Sequence, residues 1–348
     1  MPRRFPLRRA ADLVAAGLVS PAEAPVIERV SQVYAVAVTS AVAGLIDPAD
    51  PLDPIARQYL PSAAELDTAP EERSDPIGDI SHSPVRGIVH RYPDRVLLTP
   101  LLVCPVYCRF CFRRARVGDA DATLNEAEIE AALAYVAGRT ELREVVVTGG
   151  DPLMLPPARI GRLIRRLAAI PHLELVRFHS RVPVADPERV SPALAAALRP
   201  PAAAELAVWV AVHVNHPREL SPLARTALAR LADAGIPLLS QTVLLKGVND
   251  RAEVLEALMR ALVRNRVRPY YLHHPDLAPG TSHFRLPIAQ GQALMRALRG
   301  RLSGIAQPTY VLDIPGGAGK VPVGPGYWDE AEGCVTDPDG RKHRYPAD

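Results

Sequence analysis

Between residues 89 and 300 two periodicities take turns along the chain. Short apolar runs rich in Val, Leu and Ile alternate with longer stretches in which apolar residues recur every three or four positions. The short runs predict strands over 96–101, 144–147, 173–178, 207–212, 237–243 and 267–271. The longer ones predict helices over 124–137, 158–168, 192–198, 222–233, 252–263 and 288–298. Six strand-then-helix units in series imply a parallel sheet with helical crossovers. The fold class expected is α/β, a partial, open β/α barrel of about six units.

The ends of the chain have a different texture. Residues 1–88 read as a helical N-terminal region with Pro/Asp-rich loops. Ser20-Pro21-Ala22-Glu23 looks like a capped helix start, and 47–54 holds three Asp-Pro turns. No catalytic constellation stands out there, and the region is expected to pack beside the barrel at 89–308. A segment at 309–348 comes last. The first nine residues are basic, but Asp12 interrupts the apolar stretch after them, so a short amphipathic helix is expected rather than a signal peptide. No run reaches the ~18 apolar residues of a membrane span.

Polar groups sit where the predicted strands end, the face on which barrels of this kind carry their sites. A cysteine-rich loop follows the first strand, Thr148-Gly149-Gly150-Asp151-Pro152 the second, His179-Ser180-Arg181 the third and His213-Val214-Asn215-His216 the fourth. Gln241 lies in the fifth, and Asp276 comes shortly after the sixth. A run of such positions implies a lined cavity.

The cysteine loop carries the sharpest signal. Cys104, Cys108 and Cys111 are spaced C-x₃-C-x₂-C, and the fourth cysteine, Cys334, is over two hundred residues away. Three thiolates leave a tetrahedral zinc site one ligand short, so a zinc knuckle completed by a histidine is one reading. The other is a [4Fe–4S] cluster with one iron left open. An open iron suits the reductive cleavage of S-adenosylmethionine, and the spacing resembles that of the radical S-adenosylmethionine superfamily. Gly149 and Gly150 would let the backbone come close to a ligand. The implied cofactor contacts are Gly149, Gly150, Asp151, His179, Ser180, Arg181 and Gln241.

Charge narrows the partners. Of 348 residues, 41 are Lys or Arg and 38 Asp or Glu, a net +3 that argues for neither nucleic acid nor a membrane surface. A nucleic-acid- or zinc-binding module using Arg109, Arg113, Arg114 and Arg116 is the rival class. Near the C-terminus, 311–322 is a glycine-rich turn ending in Lys320. It lacks the Gly and the Ser or Thr of a phosphate-binding P-loop, since Ile314 and Val321 stand there. Lys320 is either a plain loop lysine or one that holds pyridoxal phosphate.

From about residue 35 to residue 335 the chain resembles the lysine 2,3-aminomutase family. The resemblance is carried by Asp75-Pro76, Ser83-Pro84-Val85, His90-Arg91-Tyr92-Pro93-Asp94-Arg95, the cysteine loop through Arg114, and 148–153. It continues through His179-Ser180-Arg181-Val182-Pro183, Asn215-His216-Pro217, 241–250, Arg268-Pro269-Tyr270-Tyr271, His283-Phe284-Arg285 and 313–322. It implies a [4Fe–4S] cluster on Cys104, Cys108 and Cys111, S-adenosyl-L-methionine, and pyridoxal 5'-phosphate on Lys320. It implies that Arg91, Tyr92 and Arg95 meet the cofactor phosphate, Arg113 the substrate carboxylate, and Asp276 with Asp313 a distal ammonium.

The implied activity moves the α-amino group of L-lysine to Cβ. A relative serving translation elongation factor P, or one acting on arginine or another amino acid, is the alternative. The implied partners are a small amino acid and a cellular electron donor, with a cytoplasmic location. The family's best-known members form an intersubunit zinc site with extra cysteines. Here Arg251 follows Gly247-Val248-Asn249-Asp250 and Cys334 stands alone, so no structural zinc is expected and a homo-oligomer is left open.

Overall fold

The computed structural model describes residues 6–345, so Met1–Phe5 of the basic N-terminal run lie outside the described residues. Nine strands form one sheet in strict chain order. They are β1 (Ile88–Tyr92), β2 (Arg95–Leu101), β3 (Glu144–Gly149), β4 (Leu175–Ser180), β5 (Ala207–His213), β6 (Leu238–Val243), β7 (Val267–His273), β8 (Thr309–Ile314) and β9 (Gly319–Pro322). From β2 to β8 every pairing is parallel, and β1 and β9 add antiparallel hairpins at the two edges. The sheet curls without closing. Across the seam the Lys320 backbone N–H donates to the Tyr92 hydroxyl at 2.7 Å, tying the last strand to the first.

All six predicted strands and six crossover helices are present. The periodicity missed β1, β8 and β9. They are the hairpin arms beside the Pro93-Asp94 turn and the 315–318 turn, outside the strand-then-helix alternation that marks the others. The N-terminal helix spans Ala10–Ala15. The helix expected from Ser20 begins at Ala24, although Glu23 does accept from the Ser20 backbone. Among the described residues no helix is long and apolar enough to cross a membrane.

Side chains alternate along the strands. On one face Val145, Val147, Val176, Phe178, Val208, Val210, Val212 and Leu272 are buried against the crossover helices. On the other, Glu144, Val146, Thr148, Arg177, His179, Gln241, Tyr271 and His273 line the lumen. A lumen of branched aliphatics would pack solid; this polar and aromatic one stays open.

The N-terminal region does more than lie alongside. Ile27, Val36, Val38, Ile55 and Tyr59 share a core with Val106 of the cysteine loop. Buried Glu65 accepts from Arg109 at 3.0 Å and also receives Arg114. Arg109 and Arg114 donate onward to the carbonyls of Ala35 and Gly280 at 2.8 and 2.9 Å. One carboxylate thus fastens two of the loop's arginines. Glu72 likewise accepts from the Gly280 backbone and Arg285 at 2.8 and 2.7 Å, pinning the loop after β7.

The loop's other root explains Gly149 and Gly150. A Cβ on Gly149, whose φ is +109°, would lie 2.7 Å from the Leu101 carbonyl. One on Gly150 would lie 2.5 Å from that of Val103. The glycines let β3 close on the backbone entering the cysteine loop, where Gly150 and Asp151 donate to Leu101 and Val103 at 2.7 and 2.9 Å. Packing of chain on chain is thus one reason for the two glycines, which also line the cavity described below.

Removing the Glu65 carboxylate would leave two guanidinium groups buried without a counterion, a change that costs about 3–5 kcal/mol. Glu65→Ala is therefore expected to lose that much in denaturant unfolding, and a loss below about 1 kcal/mol would show that the clamp contributes little. Gly150→Ala is expected to cost about 1–3 kcal/mol by forcing backbone apart. It should also speed alkylation of the cysteine-loop thiols; native melting and native alkylation rates would contradict the packing argument.

Candidate active site

A cavity of about 490 Å³ occupies the lumen and opens at the C-terminal strand ends. Its walls carry Cys104, Cys108 and Cys111, and also Arg91, Tyr92, Arg95, Arg113, Gly149, Gly150, Asp151, His179, Ser180, Arg181, Gln241, Asp276, Asp313 and Lys320. Every residue implied as a cluster, cofactor or substrate contact thus reaches one space, whereas Asn215 and His216 of the fourth strand end do not. The space also extends down the strands to Glu144 at the start of β3, deeper than strand-end reasoning suggested.

The three thiols are recessed in the wall, and burial pushes each of them up, Cys111 to about 11. Thiolates here need a compensating positive charge, which a bound metal centre supplies. Among the described residues no three His, Cys, Asp or Glu side chains gather into a site for one ion. A cluster asks each thiolate to reach a different iron. Arg181 Nη1 lies 3.0 Å from the Cys108 sulfur. Its Nη2 donates to Gln58 Oε1 and Glu219 Oε2, each at 2.7 Å.

Asp151 also has a structural task. Its carboxylate accepts from Ser180 Oγ at 2.7 Å and from the backbones of Leu153, Arg181 and Val182 at 3.1, 2.7 and 3.0 Å. Both oxygens join the ends of β3 and β4, so Asp151 and Ser180 position this part of the wall. The unsatisfied groups are elsewhere. His179 and His213 each present a buried Nε2 with no partner. Burial drives both imidazoles well below their usual range, so they are neutral. A polar ligand in the cavity would satisfy them.

On another wall Asp79 holds two arginines. Its carboxylate accepts from Arg91 at 3.1 Å and from Arg113 Nε and Nη2 at 3.0 and 2.6 Å. Two cations on one anion leave surplus positive charge beside the cavity, and Arg95, itself paired with Asp94, lies 3.8 Å over the Tyr92 ring. Such a wall suits phosphate and carboxylate groups.

Opposite register partners on the β8–β9 hairpin, Asp313 and Lys320, project to one face and form an ion pair. His273 Nδ1 stands 3.2 Å from Lys320 Nζ. Burial raises Asp313, but the His273 hydrogen bond and the Lys320 ammonium outweigh it and bring it to about 2. Burial, then repulsion from Asp313, lifts Asp276 to about 7. Lys320 and Arg113 draw it down, but less strongly. The pair therefore holds an anion and a group that ionises near neutrality, ready for a second cation. Lys320 beside the Arg91–Arg95 wall fits an aldehyde cofactor that carries a phosphate.

Sequence reasoning missed Gln58, Glu65, Glu72 and Asp79 in the N-terminal region, and Arg177, Glu219 and His273 in the barrel. Nothing local marks them; each becomes functional through a partner far along the chain.

The radical SAM superfamily profile matches residues 98–259, and a profile described as lysine-2,3-aminomutase matches residues 295–330. An L-lysine 2,3-aminomutase of Acetoanaerobium sticklandii is 42% identical over 309 residues, 89% of this chain and 74% of that protein. One from Clostridium subterminale is 43% identical over 84% of this chain and 69% of that protein. A glutamate 2,3-aminomutase of Clostridioides difficile is 37% identical over 81% of this chain and 66% of that protein. With identities of this size over most of both chains, and the cysteine triplet, the carboxylate pair and Lys320 facing one cavity, this chain belongs to the lysine 2,3-aminomutase family of radical S-adenosylmethionine enzymes.

Proposed function

We propose that the chain is an L-lysine 2,3-aminomutase, moving the α-amino group of lysine to Cβ to give β-lysine. The observation that carries this reading is the carboxylate pair Asp276 and Asp313, set in the same cavity as the three cysteines and Lys320. A distal ammonium placed between them gains two counterions, whereas a glutamate side chain there would face like charge. Relatives of both kinds match, and the charge of this wall supports lysine over glutamate.

Cys104, Cys108 and Cys111 would hold the [4Fe–4S] cluster and leave one iron for S-adenosylmethionine. Lys320 would hold pyridoxal phosphate, with its phosphate toward Arg91, Tyr92 and Arg95. When bound, these groups supply a carbon-centred radical that removes and returns a hydrogen at Cβ, and a conjugated ring that carries the migrating nitrogen. The chain's own residues do the rest. Arg113 presents a guanidinium fork to the substrate carboxylate, for which it would exchange one of its bonds to Asp79. Asp276 and Asp313 fix the far end, so both ends of the substrate are held and Cβ has one position. Neutral His179 and His213 offer hydrogen bonds without adding charge, and the walls keep water from reactive species. A one-electron donor and a reducing, cytoplasmic setting are part of the same reading.

Anaerobic protein loaded with iron, sulfide and pyridoxal phosphate, then given S-adenosylmethionine, a reductant and L-lysine, is expected to yield β-lysine by mass spectrometry. L-Arginine and L-glutamate should give far less product. Release of 5′-deoxyadenosine without β-lysine would sink the substrate assignment alone. Lys320→Ala is expected to abolish turnover. Asp313→Asn should weaken lysine use by about 2–5 kcal/mol in kcat/KM, the cost of leaving a buried charge unpaired.

Asp276 sets a pH dependence. Only its ionised form attracts the ammonium, and its pKa of about 7 lies above the ordinary carboxylate range. Lysine affinity should be full at pH 8 and fall about tenfold by pH 6, as protonation must be reversed on binding. A flat KM across that range would rule out Asp276 as the titrating partner.

A further inference from the structure

Arg181 is the cation in direct contact with a cysteine of the loop. Its guanidinium is 5% exposed and lies 4.7 Å from the Tyr59 ring centre and 5.5 Å from that of Phe110. Nη1 points at Cys108 Sγ from 3.0 Å, while Nη2 is held by Gln58 and Glu219. Those holders are themselves fixed. Glu219 accepts from the backbones of Asn215 and His216 at 2.9 Å each, and Gln58 Nε2 donates back to it at 3.2 Å. Gln58 Oε1 also accepts from Asn215 Nδ2 at 3.0 Å. The Arg181 backbone N–H is anchored to Asp151 at 2.7 Å. A fork held on its far side and at its root has one direction left for Nη1, and that direction is the sulfur.

We infer that Arg181 is a positioning residue that sets the reduction potential of the cluster by donating a charge-assisted hydrogen bond to the Cys108 sulfur. The inference rests on the cluster reading proposed above. Adding an electron to a cluster increases the negative charge its sulfurs carry, and an N–H donor stabilises that state more than the oxidised one. The potential is therefore higher with Arg181 in place. Glu219 offsets part of the cation's charge but leaves the direction of the N–H unchanged, so the effect is a hydrogen bond more than a long-range field. The device also ties the electron-accepting step to the N-terminal region, because Gln58 comes from it.

The test uses the full chain, reconstituted anaerobically with iron and sulfide and without S-adenosylmethionine, as wild type, Arg181→Lys, Arg181→Gln and Arg181→Met. Iron and sulfide content and thermal unfolding first establish that each is folded and loaded. Potentiometric titration with dithionite, followed by the electron paramagnetic resonance of the reduced cluster, then gives the midpoint. Arg181→Met is expected to be the most negative, Arg181→Gln less so, and Arg181→Lys nearest to wild type. A loaded Arg181→Met protein with the wild-type midpoint and spectrum overturns the inference. If Arg181→Met takes up no iron, the Gln and Lys variants decide: midpoints equal to wild type overturn it, and the stated order supports it. Wild type that folds but forms no cluster overturns the cluster reading itself, and the inference with it.

Discussion

The site depends on keeping a loop of three cysteines rigid without packing it into an ordinary apolar core. Buried charge does this. Glu65 holds Arg109 and Arg114 on one side of the loop, and Glu219 with Gln58 holds Arg181 against Cys108 on the other. Each pair costs desolvation, and replacing such pairs with apolar residues often stabilises a protein. Their use here is directional. Arginine forks fix the backbone carbonyls and the sulfur they touch to narrow geometries, which an apolar contact of the same volume would not.

The same logic shapes the barrel lumen. Its polar lining prevents aliphatic filling, so the strands must be held by their outer faces, where valines pack on the crossover helices. Stability and function are thereby assigned to opposite sides of one sheet. The seam between β1 and β9 is bridged by the Tyr92 hydroxyl on the Lys320 backbone, which ties Lys320, on an edge strand, to the hairpin that carries Arg91 and Arg95. An edge strand can shift without unravelling the parallel sheet, a useful property where one side chain must exchange partners.

Charge around the cavity is balanced from within the chain. Lys320 satisfies Asp313, and Asp79 satisfies Arg91 and Arg113. Groups that would receive an ammonium and a carboxylate already hold their own counterparts from the chain. Ligands would then replace existing ion pairs rather than neutralise bare charges, so the desolvation cost is met largely during folding.

Much of this was legible in the sequence because it is local. Strand and helix periods follow from neighbouring side chains, and all six crossover units appeared where the pattern placed them. The C-x₃-C-x₂-C spacing and the glycine turn before Lys320 are likewise short-range, as the hairpin puts Asp313 opposite Lys320 within seven residues. The tertiary structure alone decided what lies between distant segments. The pairing of Glu65 with Arg109, of Gln58 with Arg181 and of Asp79 with Arg113 spans 44, 123 and 34 residues. It also showed that Gly149 and Gly150 pack against the backbone entering the cysteine loop, and that Asp151 joins the ends of β3 and β4. A pattern of residue types records which face of an element is buried. It does not record which buried partner meets it, because that depends on how the whole sheet curls.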